Sequence, residues 1–257
     1  MRVLAISDLH VDYEENARWL SNLSRQDYRD DVLILAGDVS DSVAAMEWSF
    51  AALALRFAKV VFVPGNHDLW LSRHPEHATS FDKLERIRVL ARQYDVAMEP
   101  YHAGAVSVVP LFGWYDYSFG VPTPELREAW ADYRACRWPA GLDEPGVTAH
   151  FTYLNEPVLG TRNETIISFS HFLPRIDVMP DTVPIDKRMI YPVLGTSRLE
   201  RQIRQLRSSV HVYGHSHVNQ QVTIDGVWYV NSAFGYPSER RITQKRLTCV
   251  HEGPSPD

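Results

Sequence analysis

The sequence predicts an α/β fold, and three observations carry that expectation. Apolar, β-branched runs (VLAIS, DVLILAG and KVVFVPG) alternate in the first third with stretches of helical periodicity. The runs lack internal polar alternation, as expected of strands covered on both faces in βαβ units with a parallel sheet. Hydrophobic residues make up 45% of the 257, ample for a buried core in one large domain or two small ones.

Each element follows from its own pattern. After VLAIS comes an amphipathic stretch over residues 14 to 24, after DVLILAG a helix-like SVAAMEWSFAALALRF, and after KVVFVPG a helix over about 80 to 94. In that last helix Phe81, Leu84, Ile87, Leu90 and Tyr94 recur at helical spacing and read as core. The second half offers the strand candidates AVSVVPLFGWY, TIISFSHF, SVHVYGHSH, QQVTID and VWYVNSAF, with a helix near 197 to 207, and is expected to be more antiparallel. A segment over 116–162, rich in tryptophan, tyrosine and proline, fits neither sheet and reads as an inserted helical cap. The expected organisation is a single domain over 1–252 carrying that cap, followed by a flexible tail at 253–257.

Composition excludes several classes of function. The formal net charge of −6 argues against an electrostatic nucleic-acid binder, since phosphate backbones are held mainly by lysine and arginine. No run approaches the ~20 apolar residues of a membrane span, and the apolar start is too short for a signal sequence, so a cytoplasmic protein is expected. Cys136 and Cys249 lie far apart without metal-ligand spacing and read as plain thiols. Eleven histidines are the unusual feature of the composition.

The positions of the polar residues carry the chemistry. Strand one ends in Asp8-Leu9-His10, strand two in Gly37-Asp38 with Asp41 nearby, and strand three in Gly65-Asn66-His67-Asp68. Later strands end in His171 and in Gly214-His215-Ser216-His217. In open α/β sheets the carboxyl ends of the strands form the ligand crevice, so these groups are expected to converge. Imidazole nitrogen with carboxylate oxygen suits borderline divalent ions such as manganese, iron and zinc. Asp8 and His10, like His215 and His217, lie two apart and face one side of an extended segment. Glycines before Asp38, Asn66 and His215 remove bulk where backbone turns close to the site. Seven candidate ligands exceed one ion's needs, and dividing them between two with a shared carboxylate gives the two-metal arrangement of phosphatases and nucleases.

The ordered series DLH, GDVSD, GNHD, a lone His171 and GHSH resembles the calcineurin-like metallophosphoesterase superfamily, from Asp8 to His217 and with no motif element missing. The resemblance implies a four-layer α/β/β/α sandwich of two mixed sheets flanked by helices. It further implies that Asp8, His10 and His217 hold one ion, that Asp38 bridges, and that Asn66, His171 and His215 hold the other. His67 is then unligated and serves as general acid or phosphate contact, oriented by Asp41. Asn66, His67 and His215 would face the substrate, and Asp68 would brace the loop.

The function expected on these grounds is hydrolysis of a small-molecule phosphomonoester, a nucleotide or phosphorylated metabolite, by in-line attack of a hydroxide held between two divalent ions, manganese being the metal expected to support activity. The alternative is a phosphodiesterase on cyclic nucleotides or other diesters. A catalytically inactive scaffold ranks below both, because such a scaffold should lack several ligands.

Duller explanations compete at individual residues. Asp41 precedes a helix and is equally placed to N-cap it. His74 and His77 read as surface loop residues ahead of substrate contacts. Arg201, Arg204 and Arg207 fall off the apolar stripe of Leu199, Ile203 and Leu206 and read as a solvated face. For Trp114, Tyr115, Tyr117, Trp130 and Trp138 core packing is preferred over stacking on substrate. His102, His150, His211 and His251 receive no assignment.

Overall fold

Short apolar strands alternate with helices along the chain, and the computed structural model describes residues 1–253. The first half runs β1 (Arg2–Ile6), α1 (Glu14–Asn22), β2 (Val32–Ala36), α2 (Val43–Ala54), β3 (Lys59–Val63), α3 (Ser80–Gln93) and β4 (Val96–Ala97). The second runs β5 (Tyr101–Ala103), β6 (Val106–Pro110), α4 (Pro124–Ala129), α5 (Asp132–Ala135), α6 (Glu144–Leu154), β7 (Thr165–Phe169), α7 (Ser197–Leu206), β8 (Val210–Tyr213), β9 (Gln221–Ile224), β10 (Val227–Asn231) and β11 (Thr248–Glu252).

Two mixed sheets result, with strand orders β11-β1-β2-β3-β4 and β5-β6-β7-β8-β10-β9. Alternate side chains of each strand enter two different cores, as the strand period of two requires. Val3, Ala5, Ile34 and Val61 from the first sheet meet Val108, Ile167, Phe169 and Val212 from the second in an inner core of mostly small residues. Leu4, Leu33 and Phe62 point the other way, against Met46 and Phe50 of α2 and Leu84 and Ile87 of α3. Strands covered on both faces are why their sequences read as continuous apolar runs, and the arrangement is the expected sandwich of sheets flanked by helices.

Helix boundaries follow local chemistry. The Thr79 side chain and Asp82 form a reciprocal capping box at the start of α3. Leu199, Ile203 and Leu206 are the buried stripe of α7, which stops where Arg207 turns left-handed at φ 59°.

The second sheet departs from the expected antiparallel character. β6-β7, β7-β8 and β8-β10 all pair in parallel, and only the edge strands β5 and β9 run antiparallel. Doubly buried strands look alike in sequence whichever way their neighbours run. β4, β5 and β11, too short or too polar to show a pattern, were not expected. Gly253 donates to Met1 O at 3.0 Å, and the rest of the expected tail, 254–257, lies outside the described residues.

The segment 116–162 divides in two. Its later helix, α6, packs into the fold: Phe151 is buried beside Phe112, and Gln202 of α7 donates to Thr152 O at 2.8 Å. Trp130 and Asp132, at the junction of α4 and α5, reach over the ends of the strands instead.

Candidate metal centre

All seven candidate ligands lie just beyond the carboxyl ends of β1, β2, β3, β7 and β8. Asp8, His10, Asp38, Asn66, His171, His215 and His217 are each less than a tenth exposed. Asp8, His10, Asp38 and His217 bring ligand atoms within 4.8 Å of one another, and so do Asp38, His171 and His215. Asp38 is common to both groups. Asn66 Oδ1 lies 3.1 Å from His171 Nε2 and so joins the second.

The backbone is bent to make this possible. Nine non-glycine residues among those described have positive φ, and five of them are Asp8, His10, Asp38, His215 and His217. Left-handed backbone at such residues costs on the order of 1–3 kcal/mol each, and strain of this kind concentrates at functional sites. Two glycines permit the close approach. A Cβ on Gly65 would fall 2.1 Å from Asp38 Oδ1, and one on Gly214 would fall 2.5 Å from Asp8 Oδ2.

Hydrogen bonds at the rear of three histidines fix which nitrogen faces inward. His171 Nδ1 donates to Ala36 O at 2.9 Å, His215 Nε2 to Val193 O at 3.1 Å, and His217 Nδ1 to the Glu239 carboxylate at 2.6 Å. A carbonyl or carboxylate only accepts, so the opposite nitrogens of His171 and His215 carry lone pairs. Those two lone pairs, on His171 Nε2 and His215 Nδ1, face each other across 3.1 Å, with Asn66 Oδ1 equally close to the first. Acceptors crowded onto acceptors fit a cation between them, and outer acceptors behind ligating histidines are the usual support of a metal site.

Electrostatics points the same way. Burial, then the Asp68 and Asp8 carboxylates, push Asp38 well above the usual carboxylate range, a position that added positive charge would relieve. Its Oδ2 lies 3.5 Å from His171 Nε2 and 3.9 Å from both His10 Nε2 and His67 Nε2. Burial also drives His10 and His215 well down, which leaves them neutral as ligation requires. His217 is the exception. Burial opposes its charge, yet Asp8 at 3.1 Å and the bond to Glu239 outweigh burial and push it up to about 9. An imidazolium there stands where the donor set suits a metal cation. The residues present therefore fit the ions that the motif series implies.

Asp68 braces the pocket from behind. Its two oxygens accept from the backbone N–H groups of Asp38, Gly65, Val39 and Ser40 at 2.8 to 3.1 Å, clamping the β2 loop to the β3 loop. Lys83, buried in α3, adds a second clamp by donating to Asp41 O at 2.7 Å and Trp70 O at 2.6 Å.

Asp41 takes neither of the parts expected of it. Ser42 caps α2, accepting from Ala45 N, while the Asp41 carboxylate lies 3.2 Å from Arg73 Nε in an ion pair. No hydrogen bond joins Asp41 to His67. His67 is instead stacked on Trp70 with ring centroids 3.6 Å apart, its Nε2 lies 3.5 Å from the Tyr236 hydroxyl, and its backbone N–H donates to Asp38 Oδ1. Burial, followed by the neighbouring His171 and His217, pushes His67 down to about 3.

A cavity of about 340 Å³ opens in front of these groups, lined among others by His67, Trp70, Trp130, Asp132, Tyr236 and Glu239. Of these only His67 was singled out as a site residue from sequence. Trp70 sits beside the GNHD motif and was within reach of such a reading; Asp132, Tyr236 and Glu239 carry no local signal. Trp114 and Tyr115 are fully buried core, as expected, whereas Trp130 is partly buried, packed against the core and also lining the cavity. His74 accepts from Val43 N at 3.0 Å and lines neither this cavity nor the ligand cluster.

A sequence model of the calcineurin-like phosphoesterase family matches residues 1–219. The chain belongs to that family. This calcineurin-like phosphoesterase is accordingly a metal-dependent phosphoric ester hydrolase of a class that works with two metal ions. It is 30% identical to the [acyl-carrier-protein] phosphodiesterase PptH of Mycobacterium tuberculosis, over 92% of this chain and 78% of the relative. Its fold matches the crystal structure of the phosphopantetheinyl hydrolase PptH from that organism at a TM-score of 0.81, with 24% identity and coverage of 100% and 98% of the two chains. A Thermus thermophilus structure matches more loosely, at a TM-score of 0.52 and 14% identity over 90% and 88% of the chains. No helix among the described residues of this phosphoesterase is long and apolar enough to cross a membrane.

Proposed function

We propose that the protein is a phosphodiesterase that cleaves the diester joining a phosphopantetheinyl group to a carrier protein. The observation that carries the diester is the shape of the site. The first cavity shares His67, Trp70 and Tyr236 with a second, of about 290 Å³, that is lined on its far side by Asp12, Tyr13 and Arg73. A monoester has one organic substituent and needs one cleft; a diester has two, and two clefts meet at His67. This reverses the preference for a small monoester drawn from sequence. The carrier-protein class is supported by the name of the mycobacterial relative, which aligns over most of both chains.

In this reading Asp8, His10 and His217 would hold one ion, Asn66, His171 and His215 would hold the other, and Asp38 would serve both. The mixed nitrogen and oxygen donors suit manganese, iron or zinc. When bound, the ions supply positive charge against the phosphoryl oxygens and acidify water enough to provide a nucleophile near neutral pH. Asn66, His67 and His215 face the phosphate. A bond would form from hydroxide oxygen, the water's other proton having gone to solvent, to phosphorus as the bond from phosphorus to the leaving oxygen breaks; His67, protonated from solvent, would give its proton to that oxygen and be left neutral. Negative charge on a bound phosphate opposes the burial and the cations that hold the His67 pKa down, so the imidazolium would form only with substrate in place. Residues 116–162 serve as a cap on a single domain spanning 1–252, with Trp130 closing the first cleft.

The test compares bis-p-nitrophenyl phosphate with p-nitrophenyl phosphate after Mn²⁺ addition, and follows the mass of a phosphopantetheine-bearing carrier protein. Faster diester turnover with loss of the prosthetic group is expected. Faster monoester turnover with an unchanged carrier mass would return the assignment to a small-molecule phosphatase.

A further inference from the structure

The Asn66 side chain has two nearly identical ends, and only one of them serves a cation. Its Oδ1 must face His171 and the pocket; its Nδ2 would present N–H groups to the metal and repel it. Nothing on β3 or its loop makes that choice. The choice comes from Asp132, at the start of α5 and 66 residues away in sequence. Asp132 is 2% exposed. Its Oδ1 accepts from Asn66 Nδ2 at 2.8 Å and from Trp70 Nε1 at 2.7 Å, and its Oδ2 accepts from Trp130 Nε1 at 2.7 Å.

All three partners can only donate through these atoms, so the carboxylate is surrounded by donors and offers them acceptors alone. An acceptor-only group cannot bond to Asn66 Oδ1. The amide is thereby locked with Oδ1 toward His171 Nε2, 3.1 Å away. The same carboxylate fixes the indole on which His67 stacks and the indole whose edge meets His215, with ring centroids 5.9 Å apart.

We infer that Asp132 is a positioning residue for the second metal site, through which the helical insertion sets the orientation of Asn66. The inference rests on the two-metal reading of the pocket. Replacing the carboxylate by an amide removes the lock, because Asn66 can then turn its Oδ1 to the new N–H and withdraw it from the pocket. Outer-sphere changes of this kind typically cost about 10–100-fold in metal affinity.

The experiment is calorimetric titration of chelator-stripped protein with Mn²⁺, on wild type, Asp132→Asn, and Asp132→Asn combined with Asn66→Asp. The double variant swaps donor and acceptor at this contact: the carboxylate at 66 accepts from the amide at 132 with one oxygen and keeps the other for the ion, while Trp70 Nε1, which shares Asp132 Oδ1 with Asn66, loses its acceptor and makes the rescue partial. We expect Asp132→Asn to weaken one of two Mn²⁺ equivalents by about 10–100-fold, and the swap to recover much of that loss. A merely structural carboxylate would not be rescued by a second change at its partner. Wild-type affinity in Asp132→Asn would overturn the inference, as would a weakening or a failure to fold that the swap leaves uncorrected. A wild-type protein that binds fewer than two equivalents would instead overturn the two-metal reading itself.

Discussion

Two groups of buried histidine lie in this molecule, and they differ in where their lone pairs end. His211, inside the second sheet, is fully buried, with Nδ1 2.8 Å from Ser168 Oγ and Nε2 3.1 Å from Ser170 Oγ. Ser170 spends its own proton on Phe172 O, so it accepts from Nε2, and Ser168 is left to donate to Nδ1. Both ring nitrogens are satisfied by the protein. At the strand ends, His171 and His215 are satisfied only at the rear, and their inner nitrogens face one another. Burial of histidine is thus no signal of a metal site. Inward lone pairs without donors are, and the left-handed backbone that holds them there marks the same place.

The largest effect that sharpens this contrast is expected at Asp38. Asp38→Asn removes the one carboxylate common to both groups and should bring hydrolysis down to the rate of the metal-free protein, with metal analysis showing loss of bound ions. Next is His67→Ala, which leaves all seven candidate ligands in place. It should retain metal while turnover falls by about 10²–10⁴, the usual contribution of a general acid; unchanged turnover would remove His67 from the reaction. Third, Mn²⁺ at a hundred times its Kd should stabilise wild type by about 2.7 kcal/mol for each of the two sites it fills, read as a rise in Tm, and should leave Asp38→Asn nearly unmoved.

The smallest effect on function is expected at the satisfied histidine. His211→Gln offers an oxygen to Ser168 and an N–H to Ser170, so metal content and turnover should match wild type. Its effect is on pH. Burial lowers the His211 pKa to about 3 in the folded chain, against 6.5 as its ordinary value. Between these the unfolded chain binds the extra proton, so this contribution is complete above pH 6.5 and is lost as pH falls toward 3. His211→Gln should flatten the acid limb of Tm against pH in the metal-free protein by about one proton's worth. An unchanged limb would mean that His211 is not held neutral.

The sequence made the candidate ligands legible because each lies within about four residues of a strand end, where an apolar run gives way to Asp, Asn or His, with glycine just before Asp38, Asn66 and His215. It also made the centre of the first sheet legible, since β1, β2 and β3 alternate with helices, but not its edge strands β4 and β11. The direction of the second sheet was not legible, because burial on both faces erases the polar alternation that would separate parallel from antiparallel pairing. Asp41 misled for a tertiary reason: Ser42 reaches Ala45 N first, and Arg73 arrives from a distant loop to take the carboxylate. Tyr236, Glu239 and Asp132 were invisible for the same kind of reason. Each acts on a residue 66 to 169 positions away, or, like Glu239 on His217, across a loop with no motif of its own.

Anomalous diffraction from a crystal grown with Mn²⁺ tests the central claim most directly. The account requires two peaks about 3.5–4 Å apart, with Asp38 touching both, Asn66 Oδ1 on the one beside His171 and His215, and His67 on neither. A single peak, or an Asp38 carboxylate turned away from the ions, would contradict it.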